Sequence, residues 1–313
     1  MRRPIAAVVL ALAACAMLAL AGCTGAYDSA AHMKEQTIDS SALKNGQTLQ
    51  VGVDASSYPF AGESNGEMSG FNVDIASAIA QELGVKVEFV DVGSDGIEAL
   101  SGDQVDMVMG IESSDAKDKC WTSDSYCPSC AVLFSLDEQA TLPEKSDSLT
   151  VSAQTSSLSA YRVQKLYGDS ALCAEDDLST VFSDLTNDNA QYAAADALVG
   201  AYMANKLGIS VHMVGLLQDA DSYCIGISKD NETLQLAVTQ ALSTIQSNGV
   251  MDVIMTCWAG GSVDVSTLTV ASTSSSSKDK EKKSAEAKQA ISDNAGSSKG
   301  SVGANAVTIG ASS

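Results

Sequence analysis

The 313-residue chain has few basic residues and little histidine. It contains 18 Lys and Arg against 39 Asp and Glu, a formal net charge of −21. Within residues 47–260 the imbalance grows to eight basic and 31 acidic residues, a net charge of −23. So acidic a surface repels phosphate backbones, which argues against nucleic-acid binding and disfavours capture of polyanions or acidic lipid surfaces. The two histidines, His32 and His212, are far apart, which argues against a structural zinc site.

The sequence also lacks the motifs of common catalytic sites. It has neither a Ser-His-Asp spacing nor a glycine-rich phosphate loop. No stretch after residue 20 is apolar enough to span a bilayer. We therefore expect a protein that is not an enzyme and that needs no cofactor and no metal.

The N-terminus has the pattern of an export signal. Two arginines precede an apolar stretch at 5–20 that carries no charge, and the stretch ends in LAGC. This ending resembles the lipobox of bacterial lipoproteins, in which the cysteine is diacylated. The resemblance implies a signal peptide over 1–22 and a cell-envelope protein anchored to the membrane through Cys23. A secretory peptide with an accidental cysteine is the alternative.

Export places the remaining cysteines in an oxidising compartment, where an even number favours disulfides. The candidates are Cys120, Cys127, Cys130, Cys173, Cys224 and Cys257. The pairing stays open, because the sequence does not separate the possible connectivities. The CPSC motif at 127–130 has the spacing of thiol oxidoreductases, but it does not open a helix after a strand, so we do not predict a redox role.

The middle of the chain alternates strand and helix patterns. Short apolar runs at 49–53, 85–90 and 105–111 predict strands, and 71–83 predicts a helix with one apolar face that ends at Gly84. Alternating elements of this kind predict an α/β fold with largely parallel sheets.

The two ends of the chain are polar. We predict a flexible spacer over 23–46, because it shows no apolar periodicity. We predict a disordered tail over 261–313, because no aromatic residue follows Trp258 and Ser, Gly, Ala and Lys dominate. Such segments bury too little apolar area to offset the entropy lost on ordering.

Several strings in order resemble the family 3 periplasmic, or extracellular, solute-binding proteins, the amino-acid receptors of ABC importers. LQVGVDASSYPF and GFNVDIASAIAQELGVKVEFV, both within 49–90, are similar to the opening of these proteins. The likeness continues through DGIEALSGDQVDMVMGI at 95–111, LTVSAQTSS at 149–157 and YCIGISKDNETLQLAVTQALSTIQSNGVMDVIMTCWAG at 223–260. It covers essentially the whole 214-residue core.

The resemblance implies the type II periplasmic-binding-protein fold, in which two α/β lobes are joined by two crossover strands and hold the ligand between them. The crossovers would be 131–135 and 223–228. The implied lobes are 47–133 plus 225–260 for lobe one and 134–224 for lobe two. Cys130 and Cys224 flank the crossovers, so we expect at least one disulfide near them.

The resemblance also implies a function. The chain would be a lipid-anchored, monomeric substrate-binding protein that captures a small polar solute bearing an amine, such as an amino acid, for ABC permease subunits. A ligand-sensing lipoprotein or a small dehydratase-like enzyme on the same fold is the alternative. An enzyme would need an acid facing a base, for which Glu112 and Lys117 are the candidates. The sequence does not identify the ligand.

Lobe one departs from the family at the ligand carboxylate. Members that bind α-amino acids use a glycine carbonyl, a Thr or Ser two residues later and an Arg seven residues later. Gly110, Glu112 and Lys117 occupy these positions. A glutamate repels a carboxylate, and a lysine does not reproduce the bidentate guanidinium contact. A loop salt bridge between Glu112 and Lys117 is the alternative.

The family's cleft aromatic is also shifted in lobe one. Asp54 holds the place of the acid, and Tyr58 stands one position beyond the place of the aromatic. Tyr58 and Phe60 could each supply a ring to the ligand, or each be an ordinary core residue.

Lobe two keeps more of the family pattern. Ser156 and Ser157 fall on the Gly-Thr of the loop that covers the ligand carboxylate, and Asp196 falls on the acid that binds the ammonium group. A helix N-cap is the alternative role for Asp196. The acid excess and the missing arginine predict a neutral or basic ligand rather than a dicarboxylate.

Overall fold

A computed structural model of the chain describes residues 34–272, so the predicted signal peptide and Cys23 lie outside the described residues. The described residues form two compact units. The first unit comprises the residues up to Asp124 together with Cys224–Ile254, and the second comprises Ser125–Tyr223 together with the residues from Met255 onward. Among the described residues, no helix has the length and hydropathy needed to cross a membrane.

Strands and helices alternate along most of the chain. The strands are β1 (Thr48–Val53), β2 (Gly62–Ser64), β3 (Glu67–Ser69), β4 (Lys86–Asp91), β5 (Met107–Glu112), β6 (Trp121–Thr122), β7 (Cys127–Ser129), β8 (Ala131–Ser135), β9 (Val151–Gln154), β10 (Leu172–Glu175), β11 (Tyr192–Asp196), β12 (His212–Leu216) and β13 (Asp221–Ile227). The helices are α1 (Phe71–Leu83), α2 (Gly96–Ser101), α3 (Leu158–Tyr167), α4 (Leu178–Thr186), α5 (Ala197–Leu207), α6 (Glu232–Ser247) and α7 (Val250–Ala259).

One sheet has the strand order β4-β1-β5-β13-β6, and β7 also pairs with β13. The pairs of β1 with β4 and with β5 are parallel, whereas β13 runs antiparallel to β6 and β7. The second unit has its own sheet in the order β10-β9-β11-β8-β12. There β9 is parallel to β10 and β11, and β8 is antiparallel to both of its neighbours. These sheets confirm the predicted α/β class.

Helix α1 shows how closely local sequence sets an element. It begins at Phe71 and ends at Leu83, and Phe71, Ile75 and Ile79 on its predicted apolar face are fully buried. Gly84 follows in the left-handed conformation, with φ of 69°, and its N–H bonds to carbonyls of the last turn. A glycine adopts this backbone without steric cost, so the helix stops where the sequence predicts.

The first predicted crossover differs from the structure. Residues 131–135 form β8, which is buried along its whole length and pairs on both sides within the second unit. The chain passes between the units earlier, at Asp124 and Ser125, and returns at Tyr223 and Cys224. The apolar run at 131–134, followed by the buried Ser135, is typical of a central strand, and that is its role here.

The segment predicted as an N-terminal spacer is packed from about residue 37 onward. Ile38 and Leu43 are both 5% exposed, and the Thr37 N–H donates to the Leu83 carbonyl at the end of α1. Asp39 caps a short 3-10 helix at Ser40–Ala42. Single apolar residues in a polar stretch carry no periodicity, which is why the sequence did not reveal this contact.

The segment predicted as a disordered C-terminal tail is packed in its first part. Val263 and Val265 are buried, at 7% and 9% exposure. The Leu216 N–H donates to the Thr269 carbonyl at 2.9 Å, and the Ala271 N–H donates back to the Leu216 carbonyl at 2.7 Å. Residues 269–271 therefore extend the second sheet beyond β12, and the rest of the predicted tail, from 273, lies outside the described residues.

Candidate functional site

In the first unit, Asp54 follows β1 directly and shapes its own turn. Its Oδ1 accepts hydrogen bonds from the Ser56 N–H at 2.9 Å and the Ser56 hydroxyl at 2.6 Å. Its carbonyl accepts from the Ser57 N–H at 3.2 Å. An Asp side chain that bonds two residues onward is an Asx-turn, which fixes the carboxylate at the carboxyl end of the strand.

The two aromatic candidates of this turn have different environments. Tyr58 is 50% exposed, and its ring lies so close to Gly62 that a Cβ there would approach Tyr58 Cδ2 to 2.9 Å. Phe60 is 9% exposed and packs edge-on against Phe71, with ring centroids 6.4 Å apart. Tyr58 is thus the ring accessible to a solute, and Phe60 belongs to the core.

Gly110, Glu112 and Lys117 lie on and after β5. Gly110 has φ of 77°, a conformation that favours glycine. The Glu112 carbonyl accepts from the N–H groups of Asp115 and Ala116, at 3.0 and 3.2 Å, so the chain turns immediately. Lys117 is exposed on that turn. Two other lysines, Lys34 and Lys44, form ion pairs with Glu82 and Asp103.

In the second unit, Ser156 and Ser157 connect β9 to α3. Ser156 has φ of 61°, an uncommon conformation for a residue with a Cβ. Ser157 is the N-cap of α3, and its hydroxyl oxygen accepts from the Ala160 N–H at 3.0 Å. The loop is fixed from the neighbouring strand, because the Thr155 N–H donates to the Glu175 carbonyl at 2.7 Å. A backbone contact of this kind leaves no signal in the sequence, so it could not be predicted.

Asp196 is the last residue of β11 and the N-cap of α5. Its Oδ1 accepts from the N–H groups of Leu198 and Val199, at 3.0 and 3.2 Å. Asp196 therefore acts as a helix N-cap, the alternative role predicted for it. A carboxylate has about four acceptor positions, so capping and contact with an ammonium group are compatible. The cap also holds the carboxylate in one orientation.

Each unit gathers its polar candidates by the same topological rule. β1 and β5 are parallel neighbours, so Asp54 and Glu112 both lie where the carboxyl ends of the strands of the first sheet meet. β9 and β11 are parallel neighbours, so Ser156 and Asp196 both lie at the carboxyl ends of strands of the second sheet. The carboxyl ends of parallel strands are where open α/β sheets bind ligands.

The predicted disulfide is not observed. All six cysteines within the described residues are free thiols. Cys127 lies in β7 and Cys130 follows it, and three residues of extended chain span roughly 10 Å. A disulfide needs Cα atoms about 4.4–6.8 Å apart. The strand therefore keeps Cys127 and Cys130 too far apart for a disulfide. The other four described cysteines also form no disulfide.

The same two thiols are unsuited to redox catalysis. Both side chains are 2% exposed. Burial, together with the negative charge of Asp196, raises the pKa of Cys127 well above its usual range and that of Cys130 to about 12. Reactive cysteines have a lowered pKa and access to solvent, so this CPSC motif is structural.

Residues 49–261 match the model of the bacterial extracellular solute-binding proteins, family 3. The chain belongs to this family. It is 26% identical over 263 residues to the "Probable histidine-binding protein" of Neisseria gonorrhoeae, covering 79% of this chain and 92% of that protein. It is 25% identical over 230 residues to the L-cystine-binding protein TcyJ of Escherichia coli K12, covering 71% and 86%.

A solved structure supports the same assignment. The ancestral cationic amino acid solute-binding protein AncCDT-1 matches with a TM-score of 0.58 and 27% identity, covering 68% of this chain and 96% of that one. The predicted type II periplasmic-binding-protein fold is thereby confirmed, as is membership of an exported family of small-molecule-binding proteins.

Proposed function

We propose that this chain is the substrate-binding protein of an ABC importer and that it captures a small solute bearing an amine, a neutral or basic amino acid or a related amine. The family match over 49–261 is the observation that carries the proposal. Relatives named for histidine, cystine and cationic amino acids support the ligand class.

The charges of the candidate residues favour an amine. In the second unit, Asp196 presents a carboxylate held in one orientation by two backbone N–H groups. In the first unit, Glu112 replaces the family hydroxyl, and Lys117 is the candidate cation in place of the arginine. Each of these two carboxylates would repel an additional carboxylate on the solute and attract an ammonium group.

Arg162 does not take over the role of the missing arginine. It lies on α3, and its Nε donates to Gln218 Oε1 at 2.8 Å. Its guanidinium carbon is 5.9 Å from the centroid of the Tyr161 ring. Since Gln218, in the connection after β12, and the neighbouring Tyr161 already hold this side chain, we propose that Lys117 and backbone N–H groups bind whatever carboxylate the solute carries.

We propose that the protein binds its solute without chemical change. The named relatives are binding proteins. An enzyme would need an acid and a base facing each other, and the candidate pair is Glu112 and Lys117. Lys117 is exposed on a turn, whereas catalytic lysines are usually buried away from water.

We also propose that the mature protein is a monomer held at the membrane by lipid on Cys23. Cys23→Ala should abolish fatty-acid labelling and release the protein from the membrane fraction. Cys15→Ala is the matched control, because it removes a cysteine from the apolar stretch and leaves LAGC intact. Equal membrane partitioning of Cys23→Ala and the parent would overturn the anchor.

Ligand-dependent thermal stabilisation tests the binding function. The panel should contain histidine, arginine, lysine, glutamine, cystine, glutamate and a decarboxylated amine, with calorimetry on each hit. A true ligand raises the melting temperature with concentration by mass action, and a concentration of 100 Kd adds about 2.7 kcal/mol of stability. We expect hits among the neutral and basic compounds. Stabilisation by glutamate alone would contradict the proposed ligand class.

A further inference from the structure

The second unit contains a second group of chemically reactive side chains. Cys173 and Glu175 lie on β10, and Asp184 lies on α4. One ligand atom from each, a sulfur and two carboxylate oxygens, lies within 4.8 Å of the other two. The group therefore combines three ligand atoms of two kinds from two separate elements.

The spacing of these atoms suits a small cation. Cys173 and Glu175 are two residues apart on one strand, so their side chains point to the same face. The Cys173 thiol donates to Glu175 Oε1 at 3.3 Å. A tetrahedral ion with bonds of about 2.0–2.3 Å holds adjacent ligand atoms roughly 3.5 Å apart. The sulfur and the oxygen are thus already near the distance that one shared ion requires.

Asp184 is oriented by residues outside the group. It is 6% exposed, and its Oδ2 accepts from the hydroxyl of Ser152, a residue with no exposed surface, at 2.7 Å. Its Oδ1 accepts from Asn189 Nδ2 at 3.2 Å. Ser152 pairs with Cys173 across β9 and β10. Donors that fix a ligand carboxylate in this way form the outer shell of protein metal sites.

The charges around the thiol are negative. The Cys173 sulfur has a carboxylate oxygen of Glu175 and one of Asp184 within 4.8 Å. A divalent cation bound among the three ligand atoms would displace the thiol proton and neutralise the two acids.

We propose that Cys173, Glu175 and Asp184 form a binding site for one divalent metal ion of intermediate softness, best matched by Zn²⁺. Zinc accepts thiolate and carboxylate ligands together, and water would complete its coordination. Binding forms a metal–sulfur bond and releases the thiol proton to solvent. The site is independent of the proposed amine ligand. The competing explanation is a hydrogen-bonded group that only fastens α4 to the sheet.

The experiment uses the full chain without a polyhistidine tag, stripped of metal by a chelator. Equilibrium dialysis gives the stoichiometry and affinity for Zn²⁺, and Cd²⁺ titration reports thiolate coordination through its ultraviolet charge-transfer band. We expect one tight equivalent of Zn²⁺, a Cd²⁺–thiolate band and a rise in melting temperature with metal.

Variants locate the ion. Cys173→Ser should weaken Zn²⁺ binding at least tenfold and remove the Cd²⁺ band, and Glu175→Gln should weaken binding without removing the band. Cys257→Ser, an exposed cysteine of the same unit, is the matched control and should change neither. Absence of saturable binding, or an equal effect of Cys173→Ser and Cys257→Ser, would overturn the site.

Discussion

The two units present their candidate residues in different ways. In the second unit, Ser157 and Asp196 are N-caps whose side chains accept backbone N–H groups of α3 and α5. In the first unit, the turn after β5 is closed by the Glu112 carbonyl, and the side chain of Lys117 is exposed. Ser157 and Asp196, which follow the family's residue types, also cap helices. Glu112 and Lys117, which depart from those types, lie at the end of β5 and on the turn after it.

Physical chemistry accounts for this difference. Only Ser, Thr, Asp, Asn and Gly cap helices well, and loss of a cap costs about 1 kcal/mol. The residue types open to Ser157 and Asp196 are therefore few. An exposed side chain on a turn closed by backbone bonds, such as Lys117, meets no comparable restriction. Ligand charge selectivity can change there without loss of the fold.

The largest effect should come from Asp196→Asn. Asparagine caps helices about as well as aspartate, so the fold should lose at most about 1 kcal/mol. The charge opposite the ammonium group disappears, and removing one partner of a desolvated charge pair costs about 2–5 kcal/mol. Calorimetry with the best amine from the panel should therefore show a loss of affinity of roughly 30-fold or more.

Asp177→Asn is the matched control for this experiment. Asp177 is the N-cap of α4, and its Oδ1 accepts from the Thr180 N–H at 2.9 Å, but it is not a candidate ligand residue. Its variant should leave the affinity unchanged. Parent-like affinity in Asp196→Asn would mean that the cap is the whole role of Asp196, and the contrast between the units would lose its functional meaning.

The first unit should control selectivity against acids. Glu112→Gln removes one like charge, so glutamate should bind about tenfold more tightly, a gain of about 1.4 kcal/mol, while glutamine affinity changes little. Competition calorimetry with the two amino acids measures the ratio. Glu88→Gln, an exposed acid on β4, changes the net charge equally and should not alter it. An equal gain in both variants would assign the effect to overall charge.

The sequence predicted the regular elements well because their signals are local. The thirteen residues of helix α1 contain its apolar face, and the glycine that ends it follows directly. The first crossover was misplaced because the apolar run at 131–134 has the same pattern in a linking strand as in a central one. The sequence did not predict the packing of the two ends, because this packing depends on partners far along the chain. Thr37, for example, bonds to Leu83.

The candidate site shows the same limit. The residue types at Ser156, Ser157 and Asp196 were found by resemblance, and the N-cap role of Asp196 followed from its position before a helix. The support of the Ser156 loop from the Glu175 carbonyl could not be predicted, since a backbone acceptor is the same for every residue type. The six thiols were assigned to disulfides by compartment and number alone, and neither tells which sulfur atoms the fold brings together.

A smaller effect is expected from Ser157→Ala, which removes the N-cap of α3. The unfolding free energy from urea titration should fall by about 1 kcal/mol. Ser157→Thr keeps a hydroxyl in the same place and should preserve most of the stability. A fall of the same size in Ser157→Thr would show that packing, and not the bond to Ala160, governs this position.

The smallest effect tests why the family prefers glycine at position 156. Ser156 has φ of 61°, and an L-residue in this conformation costs about 1–2 kcal/mol, whereas glycine pays about 0.5–1 kcal/mol in backbone entropy. Ser156→Gly should therefore raise the unfolding free energy by about 0.5 kcal/mol. Ser146→Gly, at an exposed loop serine without a positive φ, should lower it slightly. If both variants destabilise the protein, the backbone at position 156 costs less than its φ indicates, and the loop of the second unit is relaxed rather than strained.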